Sequence, residues 1–174
     1  MKIISLVPIG QIERDRLELL GEQLALRLRA ACLIQPQRQN GEFAYNRTRG
    51  QYHSTEILKR LLQDPHTESW RILGVTDLDL YIPILTFVFG EAQLGAGAAL
   101  VSTHRLRPEF YGMPQDPELF QTRLLKEALH ELGHTFGLHH CSDYQCVMSS
   151  SHSAERIDLK QAEFCPACAA VAGL

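Results

Sequence analysis

Three histidines and a glutamate fall within the run HELGHTFGLHHC, residues 130–141, at spacings that let a single metal ion use them together. His130 and His134 lie four residues apart, so on a helix they stand one turn above each other and both imidazoles reach a common point. Glu131 follows the first histidine by one position, about 100° around the helix axis, which leaves it beside such an ion and free to work on a water molecule. Gly137 stands where this helix must stop, because glycine accepts the left-handed conformation that closes many helix C-termini. The turn it permits can deliver His140 as a third ligand, while His139 offers a rival imidazole whose spacing is one residue short. Three neutral imidazoles leave a divalent ion its full charge and an open fourth position, where the pKa of a bound water falls to about 7. The chemistry expected is hydrolysis by activated water, with Glu131 as general base. HExxH alone occurs in helices by accident; the glycine and third histidine at their correct spacings make the pattern specific.

The cysteines continue the metal theme. Cys141 comes directly after the third histidine, Cys146 follows with four residues between, and Cys165 and Cys168 form a CxxC. Four thiolates suit a closed tetrahedral zinc site, and this ligand set favours zinc more firmly than three imidazoles do. The alternatives are a redox pair at Cys165 and Cys168, or two local disulfides in an oxidising compartment. Cys32 has no partner in sequence and reads as a small buried hydrophobe.

With HExxHxxGxxHC, then CxM, then CxxC, residues 130–168 resemble the archaemetzincins, which are metzincin-clan metallopeptidases. GVTDLDLY and ALVSTHRL are also similar to strands that precede the active helix in that family, whereas the first 70 residues resemble it loosely. The resemblance implies a catalytic zinc on His130, His134 and His140, Glu131 as general base, and a second, structural zinc on Cys141, Cys146, Cys165 and Cys168. It also implies two zinc ions per chain, a Met-turn at Met148 beneath the catalytic metal, and a peptide or protein substrate cleaved by a metalloendopeptidase or aminopeptidase-type hydrolase. No tyrosine follows Met148, so the tyrosine that assists the metal in some metzincins has no counterpart. Tyr144 is expected on the surface and His152 in solvent.

The elements that must position these groups are legible in the hydrophobic periodicity. Leu125, Leu129, Leu132 and Phe136 make an apolar stripe at helical spacing, and Arg123, Glu127, His130 and His134 make a second stripe about 200° away, so that the histidines are expected to face a cleft. Glu127 reads as a solvated charge, with a supporting role behind the metal as the other option. Asp116 and Pro117 supply a cap and a first helical residue, placing this helix from Pro117 to about Phe136 or Leu138. Residues 2–8 read as a first strand; Leu17, Leu20, Leu24 and Leu28 recur at helical spacing; the polar run Gln35–Gln51 leads to a helix near Ser54 that Asp64–Pro65 ends. RILGVTDLDLY, LTFVFGEA and ALVSTHR read as three more strands, with ALVSTHR the expected exposed edge along which a peptide would pair. The fold expected is α/β (α+β): a twisted mixed sheet backed by two helices, metzincin-like by resemblance, with the cleft between sheet edge and active helix and a C-terminal helical part carrying the Cys₄ site.

A chain of 174 residues that is 45% hydrophobic fits one domain, with an N-terminal subdomain over residues 1–137 and a C-terminal one over 138–174. Net charge is −3 without a basic cluster, which argues against nucleic acid, and no apolar run is long enough to span a bilayer. No export signal is evident, so a cytoplasmic, reducing setting and a monomer are expected. Two other function classes fit some of the residues: a zinc-containing peptide-binding or regulatory module that is catalytically weak or inactive, and a thiol redox protein.

Overall fold

Side chains alternate between the two faces of a strand, and the first strand of this protein is apolar on both: Ile4 and Leu6 join one buried cluster, Val7 and Ile9 another. Such a strand needs cover on each side. The computed structural model, which describes residues 2–36, 40–63 and 69–174, supplies it with helices above and below the sheet. In chain order the elements are β1 (Ile3–Ile9), α1 (Arg14–Leu28), β2 (Ala31–Ile34), β3 (Tyr45–Asn46), β4 (Gln51–His53), α2 (Ser54–Leu62), β5 (Arg71–Thr76), β6 (Leu80–Tyr81), β7 (Gly90–Ala92), β8 (Ala98–Ser102), α3 (Pro117–Thr135), α4 (Ala154–Leu159) and α5 (Pro166–Ala172).

The main sheet has the order β2-β1-β5-β8-β7, parallel except for β7, which runs antiparallel to β8 at one edge. Leu17, Leu20, Leu24 and Leu28 of α1 and Leu124, Leu125, Leu129 and Leu132 of α3 share one face with Leu73, Val75, Ala99 and Val101. Ile57, Leu58 and Leu61 of α2 cover the other face, against Ile72 and Leu100. A second, small sheet of order β3-β4-β6 lies beyond it.

Three expectations about strands are corrected. ALVSTHR is not the edge: all five residues of β8 are buried, and it lies between β5 and β7, so the edge on this side of the sheet is Gly90–Ala92. Its apolar residues on both faces are the mark of an interior strand, which alternation alone does not separate from an edge. LTFVFGEA enters the main sheet only at β7, with a single bridge between Leu80 and Val88 preceding it, and RILGVTDLDLY divides into β5 and β6, which belong to different sheets. β2 had no periodic signal in its four residues, yet it pairs in register with β1 from Ile3–Ala31 to Leu6–Ile34. The helix stop expected at Asp64–Pro65 lies outside the described residues; α2 is described to Leu62.

α3 begins as expected, with Asp116 accepting a hydrogen bond from the Leu119 N–H at 2.9 Å and Pro117 as first helical residue. It ends in a Schellman turn: Leu138 N–H bonds the Gly133 carbonyl, Gly137 N–H bonds the His134 carbonyl, and Gly137 is left-handed at φ 88°. Among the described residues no helix is long and apolar enough to cross a membrane.

Candidate metal centre and active-site cleft

The helix spacing and the Schellman turn bring His130, His134 and His140 together, with ring centroids 4.8 to 5.3 Å apart. His130 Nδ1 donates to the Val147 carbonyl at 2.8 Å and His134 Nδ1 to the Leu138 carbonyl at 2.7 Å. Each bond commits its ring's proton to Nδ1 and leaves a lone pair on Nε2. The two Nε2 atoms are 3.2 Å apart. Two lone pairs facing each other repel unless a cation lies between them, and nitrogens about 2.0–2.1 Å from a tetrahedral zinc stand about 3.4 Å from each other. The donor set therefore fits a zinc ion. Burial first, and the Lys160 ammonium second, hold the His130 pKa well below its ordinary value, while burial lowers those of His134 and His140, so the neutral, ligating forms are favoured. His139 is exposed and outside the cluster.

Cys141, Cys146, Cys165 and Cys168 form a second cluster, the sulfurs lying within 4.8 Å of one another, and none is in a disulfide. Cys141 Sγ is 3.9 Å from Cys165 Sγ, close to the roughly 3.8 Å edge that four thiolates about 2.3 Å from a tetrahedral zinc would span. The turn between the clusters is tied to both: Cys141 N–H donates to the Met148 carbonyl at 3.0 Å, and Val147 N–H to the Glu163 carbonyl at 2.9 Å. Met148 is fully buried and packs against Gly133 so closely that a Cβ there would collide with its sulfur. Cys32 is half-buried rather than fully so, with its thiol pushed up to about 11 by burial.

Glu131 is buried at the floor of a cleft of about 500 Å³ that runs between β7 and α3. Burial holds its carboxyl well above the usual carboxylate range; Glu127 and Glu91 act in the same direction and Lys160 against it, as a bound dication would. Gly90 makes room for it, since a Cβ there would stand 2.6 Å from Glu131 Cγ and 2.8 Å from Oε1. Glu91, one residue on, is occupied elsewhere: the hydroxyls of Ser54 and Thr55 at the start of α2 both bond its carboxylate. Leu85, Phe87, Phe89 and Leu94 make the wall apolar on the sheet side, and Ser150, Ser151 and His152 face it from the turn after Met148. That wall is braced from behind by Arg49, which stacks on Tyr81 and donates to the Leu85 carbonyl at 2.6 Å, and by Gln51, which bonds the Thr86 carbonyl and Asp79.

One expectation about this region changes. Glu127 is not a solvated charge: it is 3% exposed and its Oε1 lies 2.8 Å from the ammonium of buried Lys160. Farther along the polar stripe of α3, Arg123 forms a bidentate pair with Asp158 at 2.8 and 2.7 Å, while His130 and His134 line the cleft as expected. His152 is exposed as expected, but at the cleft rim; Tyr144 is 63% exposed. Gly90 and Lys160 were not singled out by sequence reasoning, since neither stands at a telling spacing from the motif.

A helix carrying HExxH along the antiparallel edge of a twisted sheet, a third histidine delivered by a glycine turn, and a methionine packed against that helix at Gly133 define the metzincin class of zinc peptidase. Comparison with known proteins narrows this. The model of peptidase family M54 matches residues 23–172. An archaemetzincin from Methanocaldococcus jannaschii is 44% identical over 165 residues, covering 95% of this chain and 89% of its own. The crystal structure of an archaemetzincin from Methanopyrus kandleri superposes with a TM-score of 0.87 at 37% identity, covering 99% of this chain and 93% of that one. A zinc-dependent peptidase from Methanocorpusculum labreanum superposes with a TM-score of 0.87 at 29% identity, covering 97% of this chain and 99% of that one. The chain belongs to the archaemetzincins, peptidase family M54, a family of zinc metallopeptidases acting on peptides or proteins.

Proposed function

We propose that this protein hydrolyses peptide bonds with one zinc ion on His130, His134 and His140, Glu131 as general base, and a second, structural zinc on Cys141, Cys146, Cys165 and Cys168. The observation that carries the reading is the buried carboxyl of Glu131 beside three imidazoles whose Nδ1 protons are committed or whose rings converge on one point. Bound there, zinc supplies Lewis-acid polarisation of the scissile carbonyl and an acidified water. Glu131 accepts the proton of the attacking water and returns it to the leaving amine, a role worth about 10²- to 10⁴-fold in rate. The substrate lies extended in the cleft, pairing its backbone with the free edge of β7, and the apolar wall receives its side chains. The chain acts as one domain of two subdomains, residues 1–137 and 138–174, meeting at this cleft. Four clustered thiols suit a reducing, cytoplasmic setting and a monomer needs no partner to complete the site.

The test is peptide-library cleavage by zinc-loaded protein with Glu131→Gln as control. Glu131→Gln should keep its zinc and lose hydrolysis by at least about 10²-fold, and the cleavage positions will distinguish endopeptidase from aminopeptidase action. Equal hydrolysis by the variant would refute the base assignment. Peptide binding without cleavage in the parent protein would favour a binding or regulatory module instead.

A further inference from the structure

We propose that Lys160 is a positioning residue of the histidine metal site, holding His130 and the Met148 turn in register from behind, so that the segment between the two cysteine pairs takes part in building the peptidase centre. The inference rests on the reading above for its link to catalysis, but its geometry stands alone. The Lys160 side chain is 1% exposed, and its Nζ lies 2.8 Å from Glu127 Oε1, 3.2 Å from the Ser149 carbonyl it donates to, and 3.5 Å from His130 Nδ1. One ammonium thus touches α3 three residues before His130, the turn one residue after Met148, and the His130 ring itself.

A purely structural demand does not explain this choice. Taking two charges out of water is costly, and a buried pair is commonly replaceable by apolar side chains of the same volume without loss of stability. The contact with Glu127 is an ion contact rather than a well-aligned hydrogen bond, which weakens the case for stability further. What an ammonium supplies here, and an apolar side chain does not, is a donor that ties the Ser149 carbonyl after Met148 to α3 at Glu127, and it does so without adding an acceptor. It offers the Nδ1–H of His130 no rival acceptor, so that proton stays on Nδ1, donated to the Val147 carbonyl at 2.8 Å, and the Nε2 lone pair stays directed at the cluster. A carboxylate or amide at position 160 would offer Nδ1 a rival acceptor.

The surrounding contacts place Lys160 with care. Lys126 donates to the Ile157 and Asp158 carbonyls at 3.1 and 3.3 Å, and Arg123 clamps Asp158, so the end of α4 is fixed to α3 just before Lys160. Directly after it, Gln161 N–H donates to the Gln145 carbonyl at 2.8 Å, beside Cys146. Order at the thiolate cluster is thereby passed to His130 by a second route, besides the peptide bond between His140 and Cys141.

The experiment compares Lys160→Met, Lys160→Arg and the double variant Lys160→Met, Glu127→Leu with the parent chain. Zinc affinity of the histidine site is measured by chelator competition, its ligand geometry by the visible spectrum of the cobalt-substituted protein, folding by thermal melting, and catalysis as kcat and KM. Lys160→Met should weaken zinc at the histidine site by about 10- to 100-fold, alter the cobalt spectrum, and lower kcat with KM little changed. Lys160→Arg, another cation without acceptors, should recover part of each. The double variant, freed of a buried unpaired carboxylate, should melt near the parent while keeping the metal defect. Parent-like zinc affinity and cobalt spectrum in Lys160→Met, or their full return in the double variant, would overturn the proposal, the latter by showing that Lys160 only neutralises Glu127. Absence of hydrolysis in the parent would instead refute the peptidase reading, and the zinc and cobalt measurements would still decide the role of Lys160.

Discussion

Gly90→Ala tests whether the general base is held by close contact with the sheet edge. A Cβ at this position would stand 2.6 Å from Glu131 Cγ, where ordinary contact begins at 3.4 Å, and it would also collide with the Leu100 backbone carbonyl of β8. Neither neighbour yields cheaply: Cγ is near the root of the glutamate side chain, and Leu100 is in an interior strand. Relief requires β7 to shift by about 1 Å from the Leu100 carbonyl, 2.4 Å from the added Cβ, and Glu131 to give by about 0.8 Å, and a displacement of about 1 Å at a reacting group costs on the order of 10²-fold in rate. That is about 2.7 kcal/mol of transition-state stabilisation. Overpacking of this kind also destabilises by about 1–3 kcal/mol, so the melting temperature of a chain this size should fall by roughly 2–12 °C. The three histidines lie outside the collision, so zinc content should be unchanged. The assay is hydrolysis of the best library peptide at a temperature where both proteins are folded, with metal analysis in parallel. A variant within about twofold of the parent in kcat would refute the claim that Gly90 is required for the placement of Glu131.

Three further outcomes are expected. Cys168→Ser should remove one metal equivalent by elemental analysis and weaken zinc at the histidine site as well, because Cys141 adjoins His140 and bonds the Met148 carbonyl; an unaffected histidine site would show that the two clusters are independent. Asp116→Ala should cost about 1 kcal/mol, read by urea unfolding, through loss of the cap on the Leu119 N–H. Burial would raise the Asp79 pKa, but Arg105, paired with it at 2.7 and 2.8 Å, together with His104 and Gln51, holds it below its ordinary 3.8. The folded state therefore binds fewer protons at Asp79 than the unfolded chain does, and the stability this contributes is present above pH 3.8 and lost as pH falls below it. The stability gap between the parent and Asp79→Asn should narrow on acidification through that range; a gap that does not change with pH would contradict the assignment.

Much of the site was readable because it is local. The four-residue spacing of His130 and His134, the cap at Asp116–Pro117 and the left-handed Gly137 each express rules that operate within one or two helical turns, and all three stand in the structure as expected. The cysteine pairs were readable for a different reason: thiolates at such spacings have few other uses, and the sulfurs do converge. The resemblance to the archaemetzincins rested on these same segments, and it is where the family was recognised.

Strand order and the environment of charged groups depend on contacts between residues far apart in sequence. In sequence β8 reads as an edge because a short apolar strand looks the same whether one neighbour or two are bonded to it; pairing with both β5 and β7 makes it interior and leaves Gly90–Ala92 as the edge on that side. Glu127 reads as a solvated charge because it lies on the polar stripe of α3, and nothing near it in sequence reveals that Lys160, a chain segment beyond Cys146, is folded onto it. Nothing near Gly90 in sequence marks it out; only where α3 lies against β7 is its missing side chain the space for Glu131. By itself the sequence determined which atoms can hold metal and move a proton, because those groups are set by residue type and helical repeat. Only the tertiary structure decided which strand borders the cleft, what packs against Glu131 and what lies behind His130, because each is a contact between elements that the chain brings together only on folding.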